Sequence, residues 1–485
     1  MASVLIGIHI AAVAGLALYG FLGFFALWQY RRHRDDISLL PAVSWDELPA
    51  VTVQLPIFNE REVIGRLIAA TVALNYPADR LQIQVLDDST DDTTQIAANA
   101  VAHFAARGVD IIMYHRDNRR GFKAGALQEA LKVASGDMIA IFDADFVPPQ
   151  DFLLQTIPYL QDNAKLGAVQ ARWGHLNDQE SSLTAAQAIA LDKHFAIEQL
   201  IRHRANLFPK FNGSAGVWRK TAILDAGGWQ DDTVCEDLCL STRAILKGWQ
   251  FHFANDVVAP AELPSTLSAY KTQQSRWTTG ATQCLVKYAS AIWKAGDQTK
   301  TARLYALLSM SAYMTNALLL VLLFVQLPLL IIGESAPTRL YPLSLLGLGQ
   351  PILFALAQIA LYRDWPRRLR HLPAMLLIAI GVAPSNSWAA LKGLGRRHVP
   401  FVRTPKGAGL SYRSSLSWML GIEIGSMIYC GITLLLAISL GNSGPTLLMG
   451  SAIIAFGYVS WLSIQEQHHT FRSLIKVTQI EENQH

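Results

Sequence analysis

The stretch Met138-Ile139-Ala140-Ile141-Phe142-Asp143-Ala144-Asp145-Phe146 decides the reading of this chain. Its apolar run predicts a short buried strand, Met138–Phe142, and two carboxylates alternating across one residue follow directly at its end. The same design recurs upstream. Val51–Leu55 is β-rich and leads into Pro56 and a turn at Asn59, and Ile83–Leu86 ends in Asp87-Asp88-Ser89-Thr90. Between these strands Val63, Ile64, Leu67, Ile68, Thr71 and Val72 recur at helical spacing. Thr93–Ala106 reads as a helix, Asp110–Tyr114 as a strand and Lys123–Val133 as a further helix. This βαβα alternation predicts an α/β domain with a mostly parallel sheet and helices on both faces. Ligands of such sheets sit beyond the carboxyl ends of the strands, so both acidic clusters are expected on one rim.

Outward from this core the composition changes. The chain has 485 residues, 51% hydrophobic and only 16% charged, against roughly 25% charged in a typical soluble protein. The apolar excess lies in the first 30 residues and after about Thr301, which argues against a purely soluble, disordered or fibrous protein. Net charge is +4 from 41 basic and 37 acidic residues, so no nucleic-acid partner is implied. Four cysteines (Cys235, Cys239, Cys284, Cys430) suggest no disulfide framework. Cys235 and Cys239, at i and i+4, read as small buried residues, because two sulfurs without a nearby His pair make a poor zinc site.

A spanning helix needs about 20 mostly apolar residues. Val4–Trp28 meets this, and Arg31, Arg32 and Arg34 follow it, which predicts a retained anchor with its N-terminus outside. Leu304–Gly333, Leu340–Tyr362, Ser414–Leu440 and Pro445–Ser463 read as four more spans. His371–Leu391 is flanked by basic residues on both sides and broken by Pro373 and Pro384, so it reads as interfacial or re-entrant. The expected organisation is an anchor (1–34), a cytosolic domain (45–300), two spans (301–363), a cytosolic interfacial segment and loop (364–413), two spans (414–463) and a cytosolic tail (464–485). Glu423 falls inside a span, either lining a polar path or hydrated near the cytosolic end.

The rim chemistry follows from residue types. No GxGxxG or GxxxxGK[ST] loop is present, which argues against a dinucleotide oxidoreductase or P-loop ATPase. Asp143 and Asp145 suit a hard divalent ion shared with phosphate oxygens, or are a solvated acid pair. Asp88 suits hydrogen bonds from a base or ribose. Lys123, opening a helix after Arg119-Arg120-Gly121-Phe122, favours an anion such as a diphosphate. Glu236-Asp237, after Gly227-Gly228-Trp229, is either a helix cap or an active acid pair. In Gln273-Gln274-Ser275-Arg276-Trp277 the Arg suits departing phosphate and the Trp a sugar face; an interfacial anchor is the alternative.

The order Asp88, Lys123, DxD, Glu-Asp, QxxRW, followed by spans, resembles the membrane-embedded family 2 glycosyltransferases of the cellulose synthase superfamily. The likeness is closest to the cellulose-synthase-like A proteins, which make β-1,4-mannan and glucomannan. It is carried by Phe58–Val63 (FNEREV), Gln84–Asp91 (QVLDDSTD), Lys123–Leu127 (KAGAL), Ala140–Phe146 (AIFDADF), Gln170–Trp173 (QARW), Phe211–Arg219 (FNGSAGVWR), Glu262–Ser265 (ELPS) and the QQSRW segment. The resemblance implies a GT-A (Rossmann-like) cytosolic domain combined with an α-helical transmembrane region. It implies that Asp88 holds the nucleotide, and that Asp143 and Asp145 hold Mg²⁺ or Mn²⁺ with the diphosphate. Lys123 and Arg276 would offset leaving-group charge. Asp237, with Glu236 beside it, would be the general base. Gln273, Trp277, Trp173 and Asn212 would meet the acceptor. Phe401, Thr404 and Lys406 would belong to a gating loop, which departs from the family pattern at Arg403. Relatives usually carry Thr or Val at position 235 and Asp at position 239, so the neighbourhood of the base is altered.

The implied activity is an inverting, processive hexosyltransferase that polymerises GDP-mannose or UDP-glucose into a β-1,4-linked glycan and conducts it across the membrane. The alternative is a non-processive transfer of one sugar to a ceramide- or diacylglycerol-type lipid. A non-catalytic membrane scaffold is a third reading, against which the complete acidic set argues.

Overall fold

Continuous apolar runs in the first half of the chain form the strands expected of a sheet covered on both faces. In the computed structural model, which describes residues 1–36, 38–334, 338–395 and 417–482, seven strands make one sheet. They are β1 (Val51–Ile57), β2 (Leu81–Asp87), β3 (Ile111–His115), β4 (Met138–Ile141), β5 (Leu166–His175), β6 (Gly216–Arg219) and β7 (Gln250–Ala261). Their order is β3-β2-β1-β4-β6-β5-β7. All neighbours run parallel except β6, which is antiparallel to both β4 and β5. The register sets Ile57 opposite Asp87 and Asp87 opposite His115. The carboxyl ends of β1, β2 and β3 therefore reach one rim together, and β4 delivers Asp143 to it.

One face buries Val53, Leu55, Ile83 and Phe142 against Ile64, Leu67 and Ile68 of α1 (Ile64–Val72). Phe142 meets Phe152 edge to face, with centroids 4.8 Å apart. The opposite face buries Ile139, Ile141 and Trp218 against Leu127 and Leu131 of α2 (Phe122–Leu131) and Leu240 of α3 (Glu236–Leu246). Each such side chain contributes about 1.5–3 kcal/mol when fully buried. Cys239 on α3 and Cys284 on α4 (Leu267–Lys294) form a disulfide, with Cα atoms 6.0 Å apart. This corrects the expectation of unpaired thiols: 45 residues separate the pair in sequence, and only the packing of α3 on α4 brings them together.

Among the described residues, five helices are long and apolar enough to cross a membrane: Ala2–His33, Met314–Ile331, Pro342–Leu361, Trp418–Ser439 and Thr446–His468. The chain is an integral membrane protein. A sixth crossing arises if Trp365–Gly381 and Ala383–Gly395, bent by 48° at their junction, act as one span. The run Leu304–Gly333 is not one helix. It breaks between Met310 and Met314, where the Ser311 hydroxyl turns back to the Leu307 and Leu308 carbonyls. The first piece, Lys300–Met310, packs Ala306 and Met310 onto the α/β domain, and only Met314–Ile331 is a candidate span.

Helix α4 joins the two regions. Its Lys271 lies 2.6 Å from Glu423, which is fully buried. Its Ser268 amide donates to Glu466 at 3.1 Å, and its Thr279 hydroxyl donates to the Ala389 carbonyl at 3.1 Å. Glu423 is thus paired rather than hydrated. A second tie runs through buried Asp192, which receives Gln358 Nε2 at 2.8 Å and Tyr362 Oη at 3.2 Å and lies 2.9 Å from His175 Nε2.

Candidate active site

Asp88, Lys123, Asp143, Asp145, Trp173, Asn212, Glu236, Asp237, Gln273, Arg276 and Trp277 line one pocket of about 170 Å³ at the carboxyl rim of the sheet. The gating-loop residues Phe401, Thr404 and Lys406 lie outside the described residues.

Lys123 enters the pocket from the first turn of α2. Its Nζ is 2.5 Å from Asp143 Oδ1, 3.0 Å from the Gly213 carbonyl and 3.7 Å from Glu236 Oε1. Burial alone would lower the Lys123 pKa, but Asp143 and Glu236 reverse this and raise it. Asp143 is raised as well, by burial first, with Lys123 opposing. The Asp143 amide donates to Ser214 Oγ at 2.9 Å, which fixes the backbone two residues beyond the end of β4.

Glu236 and Asp237 form the first turn of α3, whose N-cap position is Cys235. They are not caps. They sit where the helix end favours negative charge and face the pocket. Burial and the neighbouring Glu236 push Asp237 up to about 6, with Lys123 and Lys210 pulling the other way. Gly213 passes directly beneath it with φ +86°, and a Cβ there would lie 3.1 Å from Asp237 Oδ2. The backbone angle favours glycine, and a Cβ would press on the Asp237 carboxylate.

Asn212 is held by Gln199 Nε2 at 2.5 Å and His194 Nε2 at 2.9 Å, both from the π-helical turn His194–Gln199. Burial pulls His194 down to about 4. Its imidazole is therefore neutral near pH 7, accepting from Asn212 Nδ2 and donating from Nδ1 to Glu198 at 3.0 Å. Trp173 donates its indole N–H to the Ser214 carbonyl at 3.2 Å. Gln273, Arg276 and Trp277 reach the pocket from α4.

Asp143 and Asp145 could hold a divalent ion only with outside help. Among the described residues no group of three His, Cys, Asp or Glu side chains converges. Two carboxylates plus substrate phosphate oxygens and water are a donor set that Mg²⁺-type ions accept, so the residues fit such an ion.

Several site residues escaped the sequence reading. Arg116, the residue after β3, grips Asp88 with both arms of its guanidinium, at 2.7 and 2.6 Å. Arg119 lies with Cζ 3.3 Å from the Phe58 ring centroid at the pocket wall. Lys210 acts on Asp237, and burial pulls its own pKa down to about 8. A basic residue ending the third strand on the same rim was a usable signal for Arg116; nothing comparable marked Lys210.

The sheet, its acidic rim and the apolar helices define a GT-A-like transferase domain joined to a membrane region. Residues 49–280 match the family model described as "Glycosyltransferase like family 2", and the chain carries a family 2 glycosyltransferase domain. It is 46% identical over 269 residues to glucomannan 4-beta-mannosyltransferase 9 of Arabidopsis thaliana, covering 55% of this chain and 50% of that one. Against glucomannan 4-beta-mannosyltransferase 1 of Cyamopsis tetragonoloba it is 46% identical over 248 residues, 50% of this chain and 47% of the other. The chain thus spans about half the length of the curated relatives it matches. A solved structure, the mannosyltransferase PcManGT from Pyrobaculum calidifontis in complex with GDP-Man and Mn2+, shares the fold at a TM-score of 0.54 and 21% identity, over 81% of this chain and 99% of that one.

Proposed function

We propose that the protein is an inverting, processive glycosyltransferase that uses GDP-mannose or UDP-glucose, builds a β-1,4-linked glycan at the pocket and passes it across the membrane. The observation that carries this reading is the assembly of Asp237, the Lys123–Asp143 pair and the Gln273–Trp277 segment around one pocket, on a helix tied to the membrane region. The 46% identity to glucomannan 4-beta-mannosyltransferases supports the β-1,4 linkage and the mannosyl donor. We assign the catalytic domain to the cytosol from the basic residues flanking the spans.

In this reading Asp88 meets the nucleoside and Lys123 and Arg276 meet the diphosphate. Asp143 and Asp145 would hold Mg²⁺ or Mn²⁺, which supplies charge neutralisation to the diphosphate when bound. Trp173, Asn212, Gln273 and Trp277 orient the acceptor, and Phe401, Thr404 and Lys406 belong to a loop that closes over the donor. Asp237 removes the proton from the acceptor hydroxyl as that oxygen attacks the anomeric carbon. The bond to the diphosphate breaks on the opposite face, so an α-linked donor yields a β-glycoside. A pKa near 6 leaves Asp237 mostly ionised at pH 7 while keeping it a stronger base than an exposed carboxylate.

The deciding experiment supplies purified, detergent-solubilised protein with Mg²⁺ and GDP-mannose, UDP-glucose or both, then sizes and linkage-maps the product. A β-1,4 polymer is expected, and Asp237→Asn should lower its rate by about 10²–10⁴-fold. A single sugar on co-purified lipid, with nothing longer, would replace this reading with the lipid transferase.

A further inference from the structure

Asp88 does not stand open at the nucleoside end of the pocket. Arg116 donates to it from Nε at 2.7 Å and from Nη2 at 2.6 Å, and both side chains are nearly buried, with 9% and 5% exposed. The remaining donors of the same guanidinium go to the next turn and to Glu129, whose Oε1 lies 3.5 Å from Nη1. Nη1 reaches the Arg120 carbonyl at 3.1 Å and Nη2 the Phe122 carbonyl at 2.9 Å. That turn is strained, with φ +41° at Arg119, +73° at Gly121 and +51° at Phe122, a region that non-glycine residues enter only when their surroundings hold them. It delivers Lys123, whose ammonium meets Asp143 and the Gly213 carbonyl. Gly125 closes the arrangement from below: a Cβ there would lie 2.0 Å from the Arg120 carbonyl oxygen and 3.0 Å from Arg116 Nη1.

One planar group therefore touches both halves of the donor site. A bidentate guanidinium fixes the plane of the Asp88 carboxylate and neutralises its charge, while each oxygen keeps a second lone pair for a ligand donor. Without that neutralisation the carboxylate would repel an incoming diphosphate. The two carbonyl bonds, in turn, fix the point from which Lys123 reaches into the pocket.

We propose that Arg116 is a positioning residue that locks Asp88, at the nucleoside end, and the Lys123 turn, at the diphosphate end, into one register for the nucleotide sugar. The proposal rests on the glycosyltransferase reading above.

The test uses the full-length protein in detergent, with calorimetric binding of GDP and of UDP, donor KM and kcat, and thermal midpoints. The variants are Arg116→Gln, Arg116→Lys and the pair Asp88→Asn/Arg116→Gln. Arg116→Gln is expected to weaken binding of the nucleotide that the wild type accepts by at least tenfold and to raise the donor KM in step. Arg116→Lys restores the charge but not the fork, so its affinity should fall between the two. The double variant removes both partners; it should regain the thermal midpoint without regaining affinity. Nucleotide binding within twofold of wild type in folded Arg116→Gln, or in the double variant if the single one does not fold, overturns the proposal. A wild-type protein that binds neither nucleotide and transfers no sugar overturns both the proposal and the reading beneath it.

Discussion

Lys123 Nζ lies 2.5 Å from Asp143 Oδ1 and 3.7 Å from Glu236 Oε1, so the ammonium stands between the residue expected to meet the diphosphate and the acid pair that begins α3. Asp143, Glu236 and Asp237 crowd this part of the pocket, and Lys123 is a cation that acts on all three. Lys123→Met should abolish transfer and also lower stability by about 1–3 kcal/mol, because the pair is only partly buried, with 16% and 34% of the two side chains exposed. Adding Asp143→Asn should recover part of the stability and none of the activity. A thermal shift comparison beside the product assay separates the two effects. Stability unchanged in Lys123→Met would mean that the pair is looser than its distance implies.

The pH dependence follows from Asp237. It acts as a base only when ionised, and burial with Glu236 beside it pushes its pKa up to about 6. The rate at subsaturating substrate should therefore rise with pH through about 6 and level off above it. Lys210 is one of the cations holding this value down, and with its own pKa at about 8 it is still charged there. Lys210→Met should move the acid limb to higher pH. Stability runs the other way. A carboxyl whose pKa is higher folded than unfolded contributes stability at low pH that is lost as pH rises through about 6. Asp237→Asn should thus be more stable than wild type at pH 7.5 and inactive, with the stability gain vanishing below about pH 4.

Much of the site was legible because strands in a doubly covered sheet are uninterrupted apolar runs, and their ends are where Asp88 and Asp143 stand. Antiparallel β6 was not legible. It is four residues long, and its direction is set by pairing with β4 and β5 rather than by its own pattern. The break between Met310 and Met314 was hidden because hydropathy runs on through Ser311, whose hydroxyl turns back onto its own helix. Contacts between distant segments, such as Arg116 with Asp88 and Cys239 with Cys284, exist only once the sheet and helices have packed.

Gly213 gives a sharper test of how closely Asp237 is seated. With φ +86° and Asp237 Oδ2 only 3.1 Å from a hypothetical Cβ, Gly213→Ala must both strain the backbone and displace the carboxylate. A loss of about 1–3 kcal/mol in stability is expected from the backbone conformation. The displacement should lower kcat by more than it raises donor KM, although the Gly213 carbonyl also accepts from Lys123 Nζ at 3.0 Å, so some rise in KM is expected as well. An increase in donor KM with kcat preserved would show that the loop serves the nucleotide instead.

The buried pair Lys271–Glu423 tests whether α4 is anchored by the membrane helices. Lys271→Met leaves Glu423 buried and unpaired and should cost about 3–5 kcal/mol, while Lys271→Met/Glu423→Leu should return close to wild type. Since Gln273 follows Lys271 by two residues, the single variant should also lower transfer. Unfolding followed in detergent, arranged as a double-mutant cycle, gives the coupling directly. Additive effects would mean that the pair does not anchor the helix.

The ion dependence can be argued from charge alone. Asp143 is already met by Lys123, and no third acidic, histidine or cysteine ligand converges among the described residues. The protein by itself therefore offers a divalent ion two carboxylates at most, one of them already engaged by Lys123, a weak site by the standards of ions that want six oxygens. A diphosphate would supply the missing ligands and charge. Mn²⁺ binding, followed by its paramagnetic signal, should be weak on the protein alone and strengthen by at least tenfold when GDP or UDP is added. Chelation should stop transfer, with Mg²⁺ or Mn²⁺ restoring it, and Asp145→Asn should raise the ion concentration needed. Tight Mn²⁺ binding in the absence of nucleotide would contradict this, and would require a ligand that Asp143 and Asp145 do not provide.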